Sequence, residues 1–333
     1  MKKILILCSM AMLCSMGVRA QDNSNSSSSQ DTTGGDLLGG LESANAAQVK
    51  DQRNYTIATF KSTRVVNMPD VEMTAKGNLQ FMITHHFGPF WNDAPGQNLW
   101  SNLGALFGVN GGVANTYLSM DYSPSNWLNI GLAGTGTAQL EGWLKFRILR
   151  QQTGLHNIPI SLAWMSTAHL DASAGPSPND LAWNRFSYLH QLMVARKFNE
   201  TFSLQLMGSM VHYNLGYYGY NNTNNVFSVG LQGQLRMTRR SAITFEYSRQ
   251  LNMYSDVTGV AGTPTVNYNP DLISLGYNFD TGGHIFQFFI SNTSVASNLT
   301  QLSENTSARW KGFALGFNLN RSFGVKKVVS VPQ

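Results

Sequence analysis

The 333-residue chain carries 23 Lys and Arg against 18 Asp and Glu, and only 12% of its residues are charged. A soluble domain carries about twice that share, and no basic cluster underlies the pI of 9.2, so a nucleic-acid partner is not expected. Both cysteines, Cys8 and Cys14, lie in the first twenty residues, which removes a disulfide framework, a cysteine nucleophile and a thiolate metal site from the chain that follows.

Those first twenty residues read as a secretory signal. Lys2 and Lys3 form a basic start, Ile4 to Met16 an apolar run, and Val18-Arg19-Ala20 a cleavage site ahead of Gln21. The run is too short to span a bilayer. Removing Lys2, Lys3 and Arg19 takes three of the five net positive charges, leaving about +2. Residues 21–54 are rich in Ser, Asn, Gln, Asp and Gly, a composition that cannot bury enough apolar surface to offset ordering, and read as a flexible periplasmic leader. A short helix near Glu42 to Lys50 is an expectation within it. Residues 55–76 form a pre-barrel segment. Its Thr56 to Val66 stretch reads as a thirteenth strand, a plug in the lumen or a segment on the periplasmic rim, and strand parity argues against the first.

From Asn78 the pattern has period two. Leu79, Phe81 and Ile83 alternate with Gln80, Met82 and Thr84; Leu140, Leu144, Phe146 and Ile148 alternate with Glu141, Lys145 and Arg147. Phe202, Leu204 and Leu206, then Phe227, Val229, Leu231 and Leu235, then Ile243, Phe245 and Tyr247 continue it. Such segments are strands with one apolar and one wet face, and their length suits a tilted membrane strand. Twelve candidates follow, near 77–87, 113–122, 126–134, 139–149, 158–168, 182–198, 201–212, 226–237, 241–251, 271–280, 283–293 and 309–323. Short connections such as 123–125, 199–200, 238–240 and 280–283 alternate with long ones at 88–112, 169–181, 213–225 and 252–270, as periplasmic turns and outer loops do. Linkers 135–138 and 150–157 break the alternation. The expected fold is all-β: a transmembrane antiparallel up-and-down barrel over 77–323 of about twelve strands, with fourteen as the alternative. Both ends lie in the periplasm, a tail covers 324–333, and the location is the outer membrane after export.

Trp91, Trp100, Tyr117, Tyr122, Trp127, Trp164, Trp183, Tyr188 and Trp310 are expected in interfacial girdles. The last strand, Lys311 to Phe323, has the alternating layout that barrel-assembly machinery recognises. That machinery and outer-membrane lipid are therefore the expected partners. The loops 214–225 and 297–306 read as exposed and weakly charged.

Few motifs carry chemistry. His85 and His86 point to opposite faces of a strand and cannot grip one ion; His86 is expected in the lumen. Asp280-Thr281-Gly282 matches half of an aspartic-protease motif but has no second copy, and reads as a tight hairpin. A wall-mounted hydrolase would need Ser187 with His190, or Ser209 with His212, and neither serine has a nucleophile-elbow pattern. No catalytic residue, metal or cofactor is expected. The lumen face is the informative constellation: Asp121, Glu141, Lys145, Arg147, Gln205, Gln232, Gln234, Arg236 and Glu246 point inward. Two readings follow. The charged groups line a narrow pore that sets the preference for a small solute, or an internal network holds a non-conducting barrel that docks a periplasmic or surface protein.

Several strings resemble an uncharacterised family of outer-membrane barrels of Bacteroidetes, known as a domain of unknown function. They are Phe60-Lys61-Ser62-Thr63-Arg64-Val65, His85-His86-Phe87-Gly88, Tyr188-Leu189-His190-Gln191 and Ala195-Arg196-Lys197-Phe198. Asp280 to Gln287 and Gly316 to Phe323 complete the set. The family often carries a basic residue where His86 stands, and this chain departs there. The resemblance spans residues 58–323 and implies fold and location but no reaction.

Overall fold

A computed structural model describes residues 53–91, 100, 104, 115–172, 182–214, 224–252, 254–256, 266–268, 271–303 and 312–325. Residues 1–20, expected to be a signal, residues 21–52 of the expected 21–54 leader with its helix, and most of the expected 324–333 tail lie outside them.

Twelve strands form one closed antiparallel barrel. In chain order they are β1 (Asn78–Trp91), β2 (Asn115–Tyr122), β3 (Leu128–Thr135), β4 (Gln139–Leu149), β5 (Ser161–Asp171) and β6 (Phe186–Lys197). The second half is β7 (Phe202–Tyr213), β8 (Asn225–Arg236), β9 (Ser241–Gln250), β10 (Asp271–Asp280), β11 (Ile285–Ser291) and β12 (Phe313–Gly324). Each strand pairs with its neighbour in sequence, and β12 closes onto β1 with Gly324 opposite Asn78 and Phe317 opposite His85. Twelve is therefore the strand count and fourteen is not. Two further short pairs, Arg53–Tyr55 with Gln152–Gly154 and Tyr254–Asp256 with Val266–Tyr268, stand outside the wall.

Parity sorts the connections between two ends. The turn end holds 123–127, 150–160, 198–201, 237–240 and 281–284, and the loop end holds 136–138 and the longer linkers. The two linkers that broke the length alternation keep their parity: 150–160 is long because Gln152–Gly154 binds the chain entering at Arg53. At 281–284, Gly282 adopts φ +88°, Thr281 N–H donates to His284 O at 2.9 Å and Gly282 N–H to Asp280 Oδ1 at 2.7 Å. This motif is a turn, as its glycine predicts.

The outer wall is apolar and the inner wall polar, the reverse of a soluble sheet. Leu132, Leu206, Leu275 and Phe288 are each more than 50% exposed on the outer face, while Gln80, Ser119, Gln232, Thr244 and Asn318 are buried on the inner one. A contiguous apolar belt of this size would be untenable in water, and in hydrocarbon it satisfies the requirement that strands close on themselves. Tyr117 corrects the girdle expectation. It is 1% exposed and faces inward, because the strand's alternation, not its aromatic character, decides its side. Trp127, Trp164 and Trp183 do lie exposed.

Candidate functional site

The lumen is filled from both ends. From the turn end, residues 56–76 enter it and double back: Val65 N–H donates to Met68 O at 3.1 Å and Asp70 N–H to Thr63 O at 3.2 Å. Phe60, Val65, Val66, Met68 and Val71 are all at most 3% exposed. The segment is thus packed inside the barrel and adds no strand to its wall.

A tight hairpin inserted into a barrel has no ladder on either edge, so its backbone groups need side-chain partners. The wall supplies them with amides, which donate and accept without charge. Gln205 does both, its Oε1 accepting from Val71 N–H and its Nε2 donating to Pro69 O, each at 3.0 Å. Gln287 Nε2 donates to Arg64 O at 3.1 Å and Val65 O at 3.2 Å, and Asn318 Nδ2 donates to Val66 O at 2.8 Å. Asn320 Nδ2 reaches Ser62 Oγ at 2.7 Å, and Gln234 Oε1 accepts from Lys61 N–H at 3.0 Å. Glu246 holds the tip: its two oxygens accept from Asn67 N–H at 3.0 Å and Met68 N–H at 2.8 Å. Lys145 Nζ donates to Glu72 O.

From the loop end, the β11–β12 connection folds inward and carries α1 (Asn298–Ser303), every residue of which is buried. This overturns the expectation of an exposed loop for 297–303; the rest of that loop lies outside the described residues. Leu299 and Leu302 are 1% and 4% exposed, and burying them gains the usual hydrophobic free energy. Glu141 anchors this side. It accepts from Ser297 Oγ and, at 2.7 Å, from Tyr117 O–H, and lies 3.2 Å from His169 Nδ1. Arg64 joins the two fillings. Its Nη1 donates to Asn67 O at 2.7 Å and Asn298 Oδ1 at 2.8 Å, with the guanidinium 4.8 Å above the Tyr117 ring. Beside it, a cleft lined by Asp121, Trp143, Lys145 and Met165 has about 20 Å3, room for about one water.

All the expected lumen residues face inward, but they do not border one open channel. Asp121 accepts from Trp143 Nε1 at 3.0 Å. Gln232 joins Gln205 and, at 3.3 Å, Glu246. Arg147 and Arg236 sit at the turn-end mouth: Arg147 lies 3.9 Å from Glu72, and Arg236 lies 3.3 Å from Glu200 and donates to Ala58 O at 3.2 Å. At this mouth burial pushes the Lys61 ammonium below its usual range, with Asp280 opposing. Sequence reasoning missed Gln287, Asn318 and Asn320. The signal was available, since they alternate with Phe286, Phe288, Phe317 and Leu319.

The serine–histidine pairs that a wall-mounted hydrolase would need do not form, because Ser187 and Ser209 face the lumen. On the outer wall His190 Nδ1 instead lies 2.9 Å from Ser166 Oγ, which also accepts from Trp164 Nε1 at 2.8 Å. His212 Nδ1 lies 2.8 Å from Asn225 Oδ1. His86 is buried in the lumen against Phe289, ring centroids 5.0 Å apart, while His85 stacks on Phe317 outside.

The profile of a family described as "Membrane bound beta barrel domain (DUF5777)" matches residues 60–323. The chain belongs to this family. The match covers most of the lumen segment as well as the wall, and the protein is a membrane β-barrel. No curated protein matches the chain. Among solved structures, the NanC porin is similar at 7% identity and a TM-score of 0.45, covering 74% of this chain and 98% of that one. The KdgM porin is similar at 7% identity and a TM-score of 0.43, covering 74% and 99%. The CymD monoaromatic hydrocarbon channel is similar at 12% identity and a TM-score of 0.35, covering 75% and 89%.

Proposed function

We propose that the protein is an outer-membrane barrel kept closed at rest by its own N-terminal segment, and that a narrow polar pathway for a small solute opens when residues 56–76 leave the lumen. The observation that carries this reading is the nature of the grip. The segment is held by side-chain hydrogen bonds from Gln205, Gln234, Glu246, Gln287 and Asn318, not by strand pairing with the wall. It can therefore withdraw without opening the barrel's ladder. The wall it would leave behind is lined by Glu141, Lys145, Gln205, Gln232 and Glu246, a polar surface that water and small solutes wet.

The test is conductance of the refolded protein in a planar bilayer. The full chain is expected to be silent, and a variant lacking residues 56–72 is expected to show discrete steps. Steady conductance by the full chain would refute the closed state. Silence of both would instead favour a second reading, the non-conducting docking barrel. That reading draws support from α1, which fills the lumen from the other end.

A further inference from the structure

The charges outside the lumen are unevenly divided, and neither the plug nor the wall accounts for it. At the turn end three basic side chains are paired among the described residues: Arg147 with Glu72, and Lys197 and Arg236 with Glu200. Six more, Arg53, Lys61, Lys76, Arg150, Arg239 and Arg240, have no carboxylate within salt-bridge distance among the described residues. The remaining carboxylate there among the described residues, Asp280, caps its own turn through Gly282 N–H and offsets part of the charge of Lys61 alone among the six. The loop end is balanced by comparison, with Asp171 and Asp271 against Arg185 and Arg249 among the described residues.

The six are built into one surface. Lys61 Nζ donates to Arg239 O at 2.7 Å, which ties the base of the plug to the 237–240 turn. Arg150 donates to Thr56 O at 3.1 Å and lies 5.0 Å above the Tyr55 ring. Lys61, Lys76, Arg147 and Arg150 line a recess of about 600 Å3 that also holds the Glu72 and Asp280 carboxylates, and Arg53, Arg147 and Arg150 share a second of about 420 Å3 with no carboxylate in its lining.

We propose that the turn end of the barrel docks an acidic polypeptide segment of a periplasmic protein. Three features point to that occupant. Like charges gathered on one rim repel one another, and an anion that neutralises them relieves that repulsion. A small anion would meet two or three of the six, whereas a run of carboxylates along a chain reaches every group across both recesses and the turn. Lipid headgroups are served by other residues: Arg196 and Arg321 lie over the rings of Phe198 and Phe323 at 5.1 and 4.9 Å on the outward face, where snorkelling cations meet a headgroup layer. The six stand on the end of the barrel, which headgroups surround but do not cover.

The experiment uses the full chain in phosphatidylcholine nanodiscs and fluorescein-labelled polyglutamate of about twenty residues, read by anisotropy. Binding is expected at low ionic strength and should weaken as salt shortens the Debye length from about 30 Å to about 8 Å. Arg239→Gln with Arg240→Gln should weaken it about threefold, and adding Arg150→Gln about tenfold, as several exposed pairs of modest strength would. Arg249→Gln at the loop end should leave it unchanged. The double variant alters only exposed turn residues and keeps the test valid should Arg150→Gln loosen the rim. No binding at low salt overturns the proposal. So does an equal loss with Arg249→Gln, or binding that appears only when the discs contain phosphatidylglycerol. The outcome does not depend on whether the lumen opens, because the polyglutamate assay reads the rim alone.

Discussion

Replacing Glu246 by Ala should release the tip of the plug while leaving the wall intact. In the native protein the Glu246 carboxylate accepts from Asn67 and Met68 N–H at 3.0 and 2.8 Å and from Gln232 Nε2 at 3.3 Å. Hydrogen bonds to a charged group contribute about 1.5–3 kcal/mol each, so the two backbone bonds amount to about 3–6 kcal/mol. Two effects reduce the net loss: a buried carboxylate is no longer desolvated, and water enters the space the side chain vacates. A net cost of about 2–4 kcal/mol to plug docking remains, equivalent to about 30-fold to about 10^3-fold in the docking equilibrium. Amide hydrogen exchange reads it directly, since protection of Asn67 and Met68 reports the local opening free energy. Their exchange should accelerate by that factor, while the β9 amides on either side of residue 246 keep their protection. Exchange within about twofold of the native rate would refute the assignment of Glu246 as the tip anchor. Glu246→Gln, which keeps one acceptor, should fall between the two.

Three further outcomes follow. Arg64→Met should accelerate exchange in both 65–68 and 298–303, because Arg64 bonds both Asn67 O and Asn298 Oδ1; Gln234→Ala should affect only the Lys61 side, and a change confined to one element in the Arg64 variant would refute the coupling. Gly316→Ala should lower barrel stability by about 1–3 kcal/mol in urea unfolding, since a Cβ there would lie 2.8 Å from His85 O and 2.3 Å from the Phe289 ring. Leu132→Arg, on the outer face at a position 66% exposed, should cost about 2–4 kcal/mol if that face meets the bilayer midplane; a cost near zero in lipid, by the same unfolding assay, would show that this stretch of wall does not.

The barrel was readable from the chain because its rule is local. A strand in hydrocarbon must alternate, so residues such as Leu140, Glu141, Leu144 and Lys145 declare their sides without reference to any neighbour, and the phase read from them places Glu246, Gln232 and Gln234 inward as the structure does. Parity is likewise countable along the chain, and it gave the even closure of β12 onto β1. Tyr117 shows the cost of setting that rule aside: read as an interfacial aromatic, it is in the lumen, where its position in β2 puts it.

What occupies the lumen could not be read this way. Residues 56–76 and 292–303 carry no period, and their hydrogen-bond partners lie far along the chain: Val66 bonds Asn318, and Ser297 bonds Glu141. A Gln on the inner wall has the same sequence signature whether it faces water or grips a backbone carbonyl. The sequence by itself therefore determined a membrane barrel of about twelve strands and the polar character of its interior. Only the tertiary structure decided that the interior is filled, because filling depends on which distant segments close the space, and no local pattern encodes that.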